Sequence, residues 1–411
     1  MEKISRYRIA KRAFIASCFA AIATAALLGQ SAAATAADVI RIGTPLALTG
    51  GLADEGRKQK IAYDMWLQRV NAAGGIKVGD DRMLVEFVEY DYQTDGKRAQ
   101  QLVEKMITRD KVDFLMAPFG SGHTKIVAAV AERYEMPLIA SVSSSLSVYD
   151  QGFKNLFGTL APNTGLTDAM FRHFSQAMPN ATRVAILGRD DVFPRSMAKA
   201  LAADAGKFGY DVVYNELYAV GTLDHSSAVT RIKTLDVDWV YVTGYTQDLV
   251  LFRKQMVDLG LHAPIVTMIT GPAYREFVDS LGTLAEGVTS ASWWHHATAY
   301  ESSDVFGTTA AFTAEFRRRE GHDPDYVHAS SAAALIVLQQ AIEIAGSKDR
   351  AKVRDALTKI DTMTFYGPIK FGANGMNQAR DLPIIQIQDG QPVVLAPANI
   401  TQAKMISVPR H

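Results

Sequence analysis

Residues 114–140 read FLMAPFGSGHTKIVAAVAERYEMPLIA, and their hydrophobic pattern predicts one strand–helix–strand unit. Residues 114–117 are an apolar run typical of a buried strand, 123–135 have helical spacing, and 138–140 begin the next strand. Two parallel strands joined by a helix form a right-handed crossover. The intervening loop, 118–122, therefore lies at the carboxyl end of a strand, where ligands bind in open parallel sheets.

The same alternation of strands and helices extends along most of the chain in two series. The first has strands at 39–43 and 84–90 and helices at 57–73 and 96–109 before the quoted unit. The second has helices at 163–178, 196–208, 226–235 and 247–259, and strands at 184–187, 212–217, 239–243 and 265–268. Further helices are expected at 308–319, 327–345 and 350–359. Two such series predict an α/β fold with two doubly wound parallel-sheet lobes.

The first 36 residues have the pattern of a secretory signal peptide. A basic segment ending at Arg12 precedes the apolar run Ala13–Leu28, and small residues follow at 34–36. The apolar run is shorter than the roughly 20 residues that cross a bilayer. Residues 15–18 also have the spelling of a lipobox, but most of the apolar run follows Cys18, which favours cleavage near residue 36. We therefore expect a periplasmic protein, and no later segment is expected to span a membrane.

Composition and motifs argue against several classes of function. The 43 basic and 43 acidic residues balance, which gives no electrostatic case for a nucleic-acid partner. The sequence contains no nucleophile elbow and no phosphate-binding loop, and its one cysteine lies in the leader. The adjacent His295 and His296 would point to opposite faces of a strand and could not share a metal ion. We therefore expect no enzyme, no catalytic residue, no cofactor and no metal site.

Serine-rich loops follow two neighbouring strands of the first series. Ser121 follows the strand at 114–117, and residues 141–145, SVSSS, follow the strand at 138–140. Hydroxyl groups there can bind a carboxylate, although helix capping and turn formation explain such serines equally well. Phe193 and Tyr245 follow strands of the second series and can wall an apolar ligand. Tyr326 and His328 are further candidates for polar contacts.

Several motifs resemble one family of proteins. They are Pro45–Gly50 (PLALTG), Asn71–Ile76 (NAAGGI), Glu89–Tyr92 (EYDY), Ala285–Gly287 (AEG) and Phe365–Pro368 (FYGP). Together they are similar to the leucine/isoleucine/valine-binding group of type I periplasmic solute-binding proteins, the substrate-binding components of ABC importers. The resemblance covers nearly the whole chain after the signal peptide.

The resemblance implies a Venus flytrap architecture with a three-segment hinge. The chain would cross between the lobes near 158–162, 290–295 and 380–385. Residues 37–158 and 292–382 would form the N-terminal lobe, and residues 159–291 and 383–411 the C-terminal lobe. The expected partners are a small carboxylate ligand and the membrane permease of an ABC importer, with the binding protein itself a monomer. A periplasmic ligand sensor is the alternative.

The resemblance also implies which residues contact the ligand. Ser121, Ser143 and Ser145 correspond to groups that bind the ligand carboxylate, and Phe193 and Tyr245 to aromatic contacts from the second lobe. Two ligand-binding positions depart from the family pattern. Glu55 stands where an aromatic residue covers the ligand, and Thr270 stands where an acid neutralises its ammonium group.

The departure at Thr270 leaves two classes of ligand open. The family resemblance implies a solute of the branched-chain amino-acid type. The missing acid instead predicts that an aromatic or aliphatic carboxylate without an α-amine binds more tightly than leucine, because an unpaired ammonium is costly to bury. Asp190 or Asp191 on the facing loop would reverse this prediction if either supplied the missing charge.

Overall fold

The computed structural model describes residues 39–378 and 382–410. The predicted signal peptide, Cys18 and part of the third predicted crossing lie outside the described residues. Within them the chain forms an α/β structure with two large sheets, as the sequence predicts.

The first sheet has six strands in the order β2-β3-β1-β4-β5-β6. Its strands are β1 (Val39–Leu46), β2 (Ile76–Val78), β3 (Asp81–Asp91), β4 (Phe114–Met116), β5 (Leu138–Ala140) and β6 (Leu156–Gly158). The helices along this part of the chain are α1 (Ala53–Ala72), α2 (Gly96–Thr108), α3 (Ser121–Arg133) and α4 (Leu146–Tyr149). β1, β4, β5 and β6 pair in parallel, and β2 pairs with β3 as an antiparallel hairpin.

The second sheet has seven strands in the order β15-β14-β11-β10-β9-β7-β8. Its strands are β7 (Arg183–Arg189), β8 (Asp211–Tyr218), β9 (Trp239–Thr243), β10 (Ile265–Ile269), β11 (Thr289–Ala291), β14 (Ile384–Gln388) and β15 (Gln391–Ala396). The helices between them are α5 (Thr164–Ala177), α6 (Val192–Ala205), α7 (Ser226–Lys233), α8 (Thr246–Asp258) and α9 (Arg275–Leu281). β7 to β11 are parallel, whereas β14 and β15 add an antiparallel edge that the sequence analysis did not predict.

The remaining elements return to the first sheet before the chain reaches β14. They are α10 (Thr309–Glu320), α11 (Tyr326–Ala345), α12 (Arg350–Leu357) and the hairpin of β12 (Asp361–Thr364) and β13 (Gly367–Lys370). Because α11 packs against α1 and β5, the chain passes between the two sheets after β6, after β11 and before β14. The last passage includes residues 379–381, outside the described part. The exact lobe boundaries given above remain a prediction.

Helix α11 corrects one expectation from the sequence. Its length and composition would allow it to cross a membrane, contrary to the prediction that no later segment would. However, 78% of its most apolar stretch is buried inside the protein. The helix is apolar all round because it is enclosed by α1, α12 and the first sheet, which is typical of a core helix.

Two helices start four residues earlier than predicted, and both shifts involve the candidate site. α1 starts at Ala53 rather than residue 57, and α6 at Val192 rather than residue 196. Gly56 precedes the predicted start of α1 but lies inside the helix, where a side chain would come within 1.9 Å of the carbonyl oxygen of Ala47. Pro194 precedes the predicted start of α6 but lies in its first turn, where proline is tolerated. As a result, Glu55 and Phe193 lie on helices.

Candidate functional site

The two serine-rich loops meet at the Ser121 hydroxyl group. Gly120 has a φ of 87°, which turns the chain sharply from β4 into α3 and places Ser121 at the first position of that helix. The Ser121 Oγ accepts the backbone N–H groups of Ser144 and Ser145, each at 3.3 Å. The Ser143 hydroxyl donates to the same oxygen at 3.4 Å. These bonds are long and therefore weak, so the same donors are available to a stronger acceptor such as a carboxylate.

A small cavity lies directly against this cluster, and both sheets contribute to its wall. It is lined by Phe119, Gly120, Ser121, Val142, Ser144, Leu160, Phe193, Tyr245, Thr270, Trp293 and Tyr326. Its volume is about 20 Å³, room for roughly one water molecule. Of the seven predicted ligand contacts, Ser121, Phe193, Tyr245 and Thr270 line this cavity.

The two predicted serines of the second loop lie just behind the wall, where Ser144 takes their place. Ser143 is buried, and its carbonyl oxygen accepts the Tyr149 hydroxyl at 2.9 Å. The Ser145 Oγ is buried and has no hydrogen-bond partner among the described residues. This loop was predicted as a set of alternating hydroxyls, but the bonds that converge on Ser121 include two backbone N–H groups.

Aromatic rings form the rest of the wall. The Tyr245 ring lies 6.0 Å from that of Phe119 and 6.4 Å from that of Phe193, measured between centroids. The Trp293 ring lies 5.9 Å from that of Phe193 and 5.0 Å from that of Tyr326. The cavity is therefore apolar except at the serine cluster and at the hydroxyl groups of its threonine and tyrosines.

Trp293 is the largest of the wall residues that sequence reasoning missed. It lies in the second crossing between the sheets, and its indole Nε1 donates to the carbonyl of Ala161 at 2.9 Å in the first crossing. Its one signal in the sequence was the unusual pair Trp293–Trp294.

Glu55 lies on α1 and faces the second lobe. Its side chain is 2% exposed, and its Oε1 accepts the hydroxyl of Thr246, the first residue of α8, at 2.9 Å. Burial raises the pKa of the Glu55 carboxyl, although Lys58 nearby opposes the shift. Glu55 is next to the cavity wall rather than part of it, because Thr246 follows the wall residue Tyr245 directly.

The two acids considered as substitutes for the missing charge at Thr270 are both engaged elsewhere. Asp190 is about half exposed and pairs with Arg195. Asp191 caps α6 by accepting the backbone N–H of Val192 at 2.6 Å. Its side chain also lies against Gly122, where an added Cβ would come within 2.9 Å of the Asp191 carboxylate. Neither acid lines the cavity.

The paired histidines do not lie on a strand, contrary to the prediction from the sequence, because residues 292–297 form a turn and irregular backbone. The His295 and His296 rings lie together with centroids 4.2 Å apart, instead of pointing to opposite faces. Among residues 39–378 and 382–410, no group of three or more His, Cys, Asp or Glu side chains is arranged to hold a metal ion. His328, a further candidate, contacts Asp325 at 3.0 Å and is buried away from the cavity.

The fold and the site define a two-lobed α/β binding protein whose cavity is walled by both sheets. Residues 39–392 match the periplasmic binding protein family, and the chain belongs to that family. A curated relative, Leu/Ile/Val-binding protein homolog 8 of Brucella suis, is 25% identical over 92% of this chain and 96% of its own length.

Solved structures with the same fold bind different small molecules. The branched-chain amino acid substrate-binding protein LivJ of Streptococcus pneumoniae, in complex with isoleucine, matches with a TM-score of 0.76. It is 22% identical, covering 90% of this chain and 99% of its own. A solute-binding protein of R. palustris in complex with benzoate matches with a TM-score of 0.74 at 18% identity, covering 87% and 95%.

Proposed function

We propose that this protein is the periplasmic substrate-binding component of an ABC importer and captures a small apolar carboxylate between its lobes. The observation that carries the proposal is the cluster at Ser121, where two backbone N–H groups and a second serine hydroxyl converge on one oxygen atom. The predicted signal peptide and the family description support export to the periplasm. The protein's partner would be a membrane permease, and it would act by binding rather than by catalysis.

The ligand carboxylate would take the donors that now point at the Ser121 Oγ. Ser121, Ser143 and Ser145 would surround it, and neutral donors of this kind bind a carboxylate without a buried cation. Phe193 and Tyr245 would cover the apolar part of the ligand from the second lobe. The relatives named above bind isoleucine and benzoate, which share a carboxylate and an apolar body.

Binding would require the lobes to move apart and close again. A cavity of about 20 Å³ is too small for either isoleucine or benzoate. Its wall combines Phe119 and Ser121 from the first lobe with Phe193 and Tyr245 from the second, so a change in lobe separation would enlarge it. Hinge closure driven by a ligand requires higher affinity for the closed form, which contacts with both lobes provide.

Calorimetry with leucine, 4-methylpentanoate and benzoate tests the carboxylate site. Ser121→Ala removes the hydroxyl on which the donors converge, and we expect affinity for the best of these ligands to fall about 10- to 100-fold. A hydrogen bond to a charged group is worth about 1.5–3 kcal/mol, which corresponds to that range. Ser147→Ala, at an exposed serine beyond the same loop, is the matched control and should bind normally. If the natural protein, Ser121→Ala and Ser147→Ala all bind the ligand with equal affinity, the assignment of the carboxylate site to Ser121 is wrong.

A further inference from the structure

Glu55 is a buried carboxylate that lacks a cation of its own. Among the described residues, the side chain that hydrogen-bonds to it is that of Thr246, which is neutral. The nearest cation, Lys58, lies one turn further along α1 but is already shared by two other acids. Its Nζ lies 2.7 Å from a carboxylate oxygen of Asp325 and 2.7 Å from one of Glu276. The cluster therefore contains three carboxylates for one lysine, and His328 is a further partner of Asp325 rather than of Glu55.

This carboxylate lies on the tyrosine side of the ligand cavity. Tyr245 precedes Thr246 in the chain, and both Tyr245 and Tyr326 line the cavity. Burial raises the pKa of both tyrosines. Asp191 adds to the rise at Tyr245 and Asp325 to the rise at Tyr326, and the Glu55 carboxylate makes a smaller addition to each. The serine cluster contributes to the same cavity wall. A ligand whose carboxylate binds at the serine cluster would therefore extend its second polar group toward the side of the cavity where Glu55 lies.

Closure of the lobes raises the free energy of the charged Glu55 carboxylate. With the lobes apart, its carboxylate would be hydrated where Thr246 now contacts it. Burying a carboxylate against neutral partners is unfavourable, unless the carboxylate takes up a proton or meets a positive charge. Thr270 offers no charge, and Lys58 is committed elsewhere. The closed form therefore favours either a proton on Glu55 or a ligand that brings a cation.

We propose that Glu55 supplies the countercharge for an ammonium group of the ligand, so that the site selects a zwitterionic apolar α-amino acid over the corresponding simple carboxylate. The inference rests on the proposed function, since it assumes that the carboxylate of the same ligand binds at the Ser121 cluster. It reverses the ligand preference that the sequence predicts from Thr270. The family resemblance places the acid that neutralises the ammonium group at the position of Thr270, in the second lobe, whereas Glu55 lies in the first.

The test compares leucine with 4-methylpentanoate, its analogue without the amine, by calorimetry at pH 7. The natural protein should bind leucine at least 10-fold more tightly. Glu55→Gln should weaken leucine binding about 10- to 100-fold and leave binding of the analogue unchanged or tighter, because a neutral amide is cheaper to bury. Asp54→Asn, a charge removed from the adjacent position of α1, is the matched control and should leave both affinities unchanged.

Proton uptake measured on the natural protein provides a second test that does not depend on a variant folding. Calorimetry in buffers of different ionisation enthalpy should show that 4-methylpentanoate binds with a greater uptake of protons than leucine does, because burial raises the pKa of the Glu55 carboxyl. Glu55→Gln should abolish the uptake. A residue with a merely structural role would not produce this difference between the two ligands.

The possible outcomes separate this inference from the proposed function. If 4-methylpentanoate binds the natural protein as tightly as leucine does, or if Glu55→Gln weakens both ligands equally, Glu55 is not the countercharge, although the carboxylate site survives. If leucine, 4-methylpentanoate and benzoate all fail to bind, the proposed function is wrong and the inference falls with it.

Discussion

Thr270 occupies a backbone conformation that threonine rarely adopts. Its φ of 80° and ψ of −37° lie outside the regions open to β-branched residues, and the residue directly follows β10 in the wall of the cavity. Its backbone N–H lies 3.3 Å from the Ser290 hydroxyl oxygen, while its own Oγ1 is buried without a partner among the described residues. Strain of this kind costs on the order of 1–3 kcal/mol and persists where the surrounding structure imposes it.

Two substitutions at Thr270 distinguish this strain from ordinary packing. Both Thr270→Ala and Thr270→Gly remove the hydroxyl, but only glycine relieves the positive φ. We expect the glycine variant to be more stable than the alanine variant by about 1 kcal/mol in urea unfolding. Elsewhere in a folded chain, glycine is usually the less stable of the two. An alanine variant that equals or exceeds the glycine variant would show that the backbone here is not strained.

Residue by residue, the sequence identifies the parts of the cavity that follow strands of a parallel sheet. Ser121, Phe193 and Tyr245 could be named because each follows a strand, and the fold brings them from the two sheets to one cavity. Trp293 could not be named in this way, because it lies in a crossing and reaches the cavity only through packing against Phe193 and Tyr326. Local periodicity contains no information about such a contact.

Helix α1 presents two of its charged residues, Glu55 and Lys58, to the second lobe. Glu55 and Lys58 are three positions apart and therefore lie side by side on the helix. The Lys58 Nζ contacts Asp325 of the first lobe and Glu276 of the second, and it lies 3.7 Å from the centroid of the Tyr274 ring. Lys58 thus links the two lobes in the closed form and would keep Asp325 as its partner in an open one.

Glu276→Gln removes the second-lobe half of this link and should favour the open form. Because the Glu276 side chain is 40% exposed, we expect the effect to stay below about 1 kcal/mol, or roughly a fivefold loss of affinity for the best ligand. Small-angle scattering of the ligand-free protein should show a larger radius of gyration than the natural chain has. Asp279→Asn removes an exposed acid one turn further along α9 and serves as the control. A variant with unchanged radius and affinity would show that the link does not contribute to closure.

At the scale of elements, the sequence predicts the central strands and most helices but not the edges of the sheets. β4, β5, β9 and β10 are apolar runs buried on both faces, and their composition identifies them. β14 and β15 come after the helical third of the chain and join the second sheet beside β11. That pairing depends on contacts between residues far apart in the sequence, which strand-length patterns do not reveal.

The whole molecule buries several histidines in their neutral form. Burial lowers the pKa values of His123, His173, His225, His295 and His296. The pKa of His295 is lowered to about 3, mainly by burial and further by the neighbouring His296. Its Nδ1 accepts the backbone N–H of Ala297 at 3.1 Å, and its Nε2 lies 3.2 Å from the carbonyl oxygen of Pro392. The neutral ring therefore satisfies both partners, and a second proton would break the first bond.

These histidines predict that the protein loses stability as the pH falls below about 6.5. A histidine with a lowered pKa in the folded state is protonated first in the unfolded chain, so acid favours unfolding until the folded pKa is reached. For His295 alone, the loss between pH 7 and pH 5 should be about 2 kcal/mol. His295→Gln keeps one donor and one acceptor, so urea unfolding of this variant should show a pH dependence smaller by that amount. Near pH 8 the free energies of unfolding of the two proteins should differ by an amount that does not depend on pH. If the variant loses as much stability on acidification as the natural protein does, His295 is protonated inside the folded protein.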